Sequence, residues 1–173
     1  MITSDAVDRV RGWFAGRLPE DWQASPAEVT IDREEITVVL TLPDVQLEKD
    51  ASEAEVEEAR AGRARGFRED TREQRIRIAR EAERRYERKV SWGVDVGGRR
   101  EVWTNVAAPV MTRLRQQQRL VLDTLVDAGV ARSRSEALAW CVRLVGQHEA
   151  DWLAELREAM GTVADVRSRG PAA

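Results

Sequence analysis

The chain reads as an α+β protein, and three patterns carry that reading. Apolar residues alternate with polar ones across residues 29–42 and 90–106, the period of strands with one buried face. Elsewhere they return every three or four residues, the period of helices with one apolar stripe. Near the C-terminus the run Ser133-Arg134-Ser135-Glu136 sets a hydroxyl three residues ahead of a carboxylate, which marks a helix start. Together they predict a helix-hairpin-helix-hairpin module over residues 1–106, a strand-helix-helix segment over 107–146, and a C-terminal helix with its tail over 147–173.

The N-terminal helix follows from Val7, Val10, Trp13 and Phe14 on one face, with Ser4 as its cap and Leu18-Pro19 as its stop. Val29 and Ile31, then Ile36, Val38, Leu40 and Leu42, form a hairpin bent at Asp32-Arg33-Glu34 and ended by Pro43-Asp44. Ser52-x-x-Glu55 opens a polar helical tract that runs to Lys89. Gly62 and Gly66 interrupt it, each costing about 1 kcal/mol relative to alanine, so a break is expected there. Beyond them Phe67, Thr71, Ile78, Ala82 and Tyr86 share one stripe, while Arg77, Arg80, Arg84 and Arg88 share another. Such an arginine stripe suits phosphate. The spacing favours the plainer reading, a solvated face stitched by Glu73 with Arg77 and Glu81 with Arg85. A second hairpin turns at Gly97-Gly98, between Val90, Trp92, Val94 and Val96 and a return through Val102, Trp103 and Val106. Whether the two hairpins share a sheet is left open.

From residue 110 onward the pattern changes. Val110, Thr112 and Leu114 alternate with Met111, Arg113 and Arg115, giving a strand with one mainly apolar face and one polar, cationic face. Leu114, Gln118, Val121, Leu122 and Leu125 then define a helix that stops near Ala128, with Gly129 suited to the left-handed position beyond it. The Ser133–Glu136 box starts the next helix and turns its positive dipole end outward, where anions are favoured. Trp152, Leu153, Leu156, Met160 and Val163 mark a last helix, with Ser168-Arg169-Gly170-Pro171 as a frayed tail.

With Leu125-Val126-Asp127-Ala128-Gly129 and Arg132-Ser133-Arg134-Ser135-Glu136-Ala137-Leu138 in place, the segment resembles the ribbon-helix-helix family of DNA-binding proteins, of the MetJ and Arc type. The resemblance spans roughly 35 to 40 residues. It implies a homodimer whose two strands pair antiparallel and enter the major groove of double-stranded DNA. By position, Met111, Arg113 and Arg115 are then the outward, base-reading residues. The start of the second helix clamps a backbone phosphate through Ser133, Arg134 and Ser135, with Arg132 assisting. Two departures stand out: Leu114-Arg115 replaces a frequent Leu-Pro, and Pro109 lies close to the strand start.

Composition narrows the remaining classes. No run of 18 apolar residues exists, and the acidic N-terminus is unlike a secretory signal, so a cytoplasmic protein without membrane contact is expected. One cysteine and one histidine exclude an intrachain disulfide and make a metal centre improbable, so no cofactor and no metal are expected. Cys141 sits among Leu138, Val142 and Val145 as a small core residue, and no nucleophile-base pair or phosphate loop is readable, which argues against an enzyme. The net charge of −3 conceals an asymmetry: residues 1–59 hold 5 basic and 15 acidic side chains, residues 60–90 hold 12 and 6. Only Lys49 and Lys89 among the 28 basic residues are lysine, a skew that a GC-rich coding sequence also produces. The expected function is a dimeric, sequence-specific DNA-binding protein acting as a transcriptional regulator. Its rival is a protein-interaction and dimerisation module, with the acidic N-terminal part offered to a protein partner.

Overall fold

The computed structural model describes residues 4–22, 24–48, 50–104 and 106–169, without the side chains of 4 and 164–169. The chain divides into two compact units, Met1–Ala108 and Pro109–Ala173.

In the first unit α1 (Ser4–Arg17) leads through a 3-10 turn at Glu20–Trp22 to the strands β1 (Glu28–Ile31) and β2 (Glu35–Leu42). Asp32 makes their turn by accepting from the amides of Glu34 and Glu35, both at 2.7 Å. Two helices, α2 (Glu53–Asp70) and α3 (Arg72–Tyr86), then cross to β3 (Lys89–Val96), and β4 (Arg99–Val102) completes the second hairpin. Both hairpins lie in one sheet of order β1-β2-β3-β4. Its centre is the parallel pair β2 and β3, in register from Glu35 opposite Lys89 to Leu42 opposite Val96. A parallel pair requires a crossover, and α2 and α3 supply it.

Alternation does the sorting that the sequence predicts. Ile36, Val38, Leu40 and Leu42 of β2 join Val90, Trp92, Val94 and Val96 of β3 in a core capped by Val10 and Phe14 of α1, Ala64 of α2, and Ile78 and Ala82 of α3. Rings bind it into one chain of edge-to-face contacts: Tyr86 to Trp13 (5.9 Å), Trp13 to Phe14 (4.8 Å), Phe14 to Trp92 (6.2 Å), Trp92 to Trp22 (6.4 Å) and Trp22 to Phe67 (5.6 Å). These tryptophans are core anchors. Gly93 has a steric reason to be glycine, because a Cβ there would lie 2.7 Å from the Glu101 carbonyl on β4.

Two expectations for this unit are corrected. The helical break falls at Thr71, not at Gly62 or Gly66, which lie within α2 where an added Cβ would meet nothing. At Thr71 the backbone reaches φ −94°, ψ 1°, and side chains satisfy the end of α2: Thr71 Oγ1 donates to the Phe67 carbonyl (2.6 Å), while Arg75 donates to Thr71 Oγ1 (3.0 Å) and to the Arg68 carbonyl (2.6 Å). Arg75 is buried beside Arg68 and Arg72, and burial first, then those two cations, pull its pKa down to about 10. The carbonyl end of α2 and the face of Trp103, 4.7 Å from the guanidinium, offset its charge. Secondly, the ladder stops at Val102; beyond it the Trp103 amide still donates to Trp92 O (2.8 Å), and the Val106 amide donates to Glu35 (2.9 Å).

The second unit holds α4 (Gln116–Asp127), α5 (Arg134–His148) and α6 (Ala150–Arg169). Helix α4 stops where expected, with Gly129 at φ 74°. Helix α6 continues through Ser168 and Arg169, which the sequence assigns to a frayed tail; Gly170-Pro171 lies outside the described residues. The strand expected over residues 110–114 is absent from the single chain, where 106–115 take no regular form. Strand hydrogen bonds need a neighbouring edge, and the described residues of this unit otherwise form helices and turns.

Candidate nucleic-acid interface

Ser133 is the N-cap of α5, with extended backbone and an Oγ that accepts from the Glu136 amide at 3.2 Å. The reciprocal half of the expected box is displaced by one residue: Glu136 accepts from the Arg132 amide (2.8 Å) rather than from that of Ser133. That bond and the Arg132 guanidinium hold the Glu136 carboxyl below its ordinary range. Arg132, Ser133, Arg134 and Ser135 are therefore brought together, all exposed, around the positive end of α5.

Arg134 is not idle there. Its Nε and Nη2 donate to the two carboxylate oxygens of Asp123 on α4, at 2.6 and 2.8 Å. The pair holds the Asp123 carboxyl below and the Arg134 guanidinium above their usual values. Asp123 escapes a sequence reading because it lies eleven residues from Arg134 across a turn, and no periodicity joins them.

Upstream, Met111, Arg113 and Arg115 are all exposed, Met111 almost completely at 96%. Among the described residues no ion pair involves Arg113 or Arg115. Arg115 is extended (φ −76°, ψ 168°), and its amide donates to the Gln118 side chain (2.9 Å), an N-terminal cap that a Gln at the third helical position signals. Arg119 reaches back to the Leu114 carbonyl (2.7 Å), anchoring the segment to α4.

Beneath these groups the core is slight. Leu122, Ala131 and Ala137 are buried, with Leu114, Leu125, Val126, Leu138 and Cys141 packed partly against them. Cys141 is half-buried against that core rather than within it. Val121, expected on the packed face, is exposed, as are Leu120, Val142, Leu144 and Val145. Of the fifteen large hydrophobic side chains exposed among the described residues, twelve belong to this unit, so its apolar surface exceeds what one copy covers.

No group of three or more histidine, cysteine or acidic side chains among the described residues is placed to hold a metal ion. No described helix is long and apolar enough to cross a membrane.

Comparison with known proteins follows the same two-part division. The model of the Rv1265-like protein N-terminal domain matches residues 8–102, more than half of the chain. The chain belongs to the Rv1265-like family. A second model, the Mb1296 C-terminal domain, matches residues 115–167, so the two matches fall on either side of the boundary between the units. Among the similar relatives are the uncharacterised proteins Mb1296 of Mycobacterium bovis, and MT1303 and Rv1265 of Mycobacterium tuberculosis. Each is 58% identical over 159 residues, covering 92% of this chain and 69% of the relative. No solved structure matches.

Proposed function

We propose that this family member is a homodimeric, sequence-specific DNA-binding protein, a transcriptional regulator of ribbon-helix-helix character in its second unit. The observation that carries the reading is the mismatch between a three-residue buried core and the apolar excess around it, with Val110 at 85% and Val142 at 65% exposed. A second copy covers such surface and supplies the missing strand edge for residues 110–114, turning two extended segments into an antiparallel ribbon. Val110, Thr112 and Leu114 then face inward, and Met111, Arg113 and Arg115 face the major groove. Arg113 suits a bidentate contact to guanine, worth about 1–3 kcal/mol of discrimination. The amides and hydroxyls at Ser133 and Ser135, with Arg132, suit a backbone phosphate.

Fluorescence anisotropy against a random duplex library at several salt concentrations, with sizing in solution, tests the reading. The expected result is a dimer that selects particular sequences, and an Arg113→Ala variant that relaxes that selectivity while keeping its phosphate-driven salt dependence. An equal loss on every sequence refutes the readout role of Arg113. A dimer with no salt-dependent affinity for DNA supports the rival, a protein-interaction module.

A further inference from the structure

We infer that the outer face of α3 is a second phosphate-binding surface, which grips the backbone of the same duplex without reading its bases; this rests on the DNA-binding reading of the second unit. Arg75, Ile78 and Ala82 turn inward from α3, leaving Arg77, Arg80 and Arg84 exposed on its other side. The spacing pairs Arg77 with Glu73 and Arg85 with Glu81 along the helix, and among the described residues neither ion pair forms. Glu81 is drawn across to α1, where Arg17 donates to both its oxygens at 2.7 and 2.8 Å. Arg77 and Arg84 add only a weaker pull on it from a distance. Glu73 forms no ion pair with Arg77, and among the described residues none involves Arg77, Arg80 or Arg84.

Arg80 and Arg84 also wall a shallow, open groove of about 480 Å³, where they, with Arg33, Arg88 and Lys89, outnumber three glutamates. One of the three, Glu83, already accepts from Lys89 (3.4 Å). Arg88 donates to the carbonyls of Asp32 (2.8 Å) and Tyr86 (2.9 Å), which fix its position without cancelling its charge. From Arg77 to Arg84 the helix rises about 10 Å, a length along which one strand of B-DNA presents about three phosphates. Exposed guanidinium groups at that spacing, on a helix held by the core, match a polyanion's periodicity and carry no base information. With the chain at −3 overall, the attraction acts at short range, once the second unit has found DNA.

The test compares the full chain with an Arg77→Ala/Arg80→Ala/Arg84→Ala variant and its all-lysine counterpart, by anisotropy on a random-sequence duplex between about 50 and 200 mM salt. The expected loss is about two to three in the slope of log affinity against log salt, equal on all sequences, with the lysine variant retaining the slope. An unchanged slope in an alanine variant whose circular dichroism matches the parent overturns the inference, while altered selectivity in Arg113→Ala leaves the DNA-binding reading standing. A parent chain with no salt-dependent DNA affinity overturns both. Arginine-dependent binding to polyglutamate but not to DNA also overturns it, because the surface would then serve an acidic protein.

Discussion

Arg134 and Asp123 form a two-pronged ion pair, 2.6 and 2.8 Å, that ties the first turn of α5 to the middle of α4. The residue best placed to meet a phosphate at the helix end is thereby held by a carboxylate of its own unit. Any anion approaching α5 competes with Asp123 for that guanidinium.

Asp123→Asn should therefore free Arg134. If the end of α5 takes a phosphate, the variant binds random duplex more tightly at low salt and its salt slope steepens by about one, while Arg134→Ala does the opposite. Anisotropy on one duplex at four salt concentrations measures both. No change in either variant excludes Arg134 from the interface.

Substituting glutamate for Val142 or Val121 separates a dimer from a free-standing unit. Both side chains are exposed in one copy, and a surface substitution ordinarily changes stability by about 0.5 kcal/mol or less. If a second copy covers them, each variant buries an unmatched charge, and sedimentation should show monomer at concentrations where the parent is dimeric. Identical sedimentation of parent and both variants counts against pairing through these faces.

Acid should weaken the first unit through Glu28, Asp44 and Glu81, whose carboxyls Arg100, Arg60 and Arg17 hold below the ordinary range by hydrogen bonds. A carboxylate depressed in the folded chain contributes stability that is complete above its unfolded pKa, about 4 to 4.5, and is lost as pH falls through the folded value. Glu81→Gln should thus lower Tm at pH 7, with the gap to the parent closing as pH drops below about 4. A gap that stays constant down to pH 2 removes the Arg17 pair as its cause.

Local chemistry was legible where neighbours in sequence are also neighbours in space. Ser52 with Glu55 and Ser133 with Glu136 could be placed from spacing alone, because a helix start closes within four residues. The alternation of Ile36 to Leu42 and of Val90 to Val96 likewise fixed which side chains face the core. Gly62 and Gly66 misled, since propensity costs about 1 kcal/mol and packing of Ala64 and Phe67 against the sheet outweighs it.

The sequence by itself determined the α+β class, the capped start of α5 and the uneven spread of charge, all set by composition, periodicity and short-range contacts. Only the tertiary structure decided that β2 and β3 pair in parallel, that Glu81 serves Arg17 instead of its own helix, and that Asp123 holds Arg134. Those choices depend on which distant groups the fold brings within about 3 Å, and a linear pattern carries no record of that proximity.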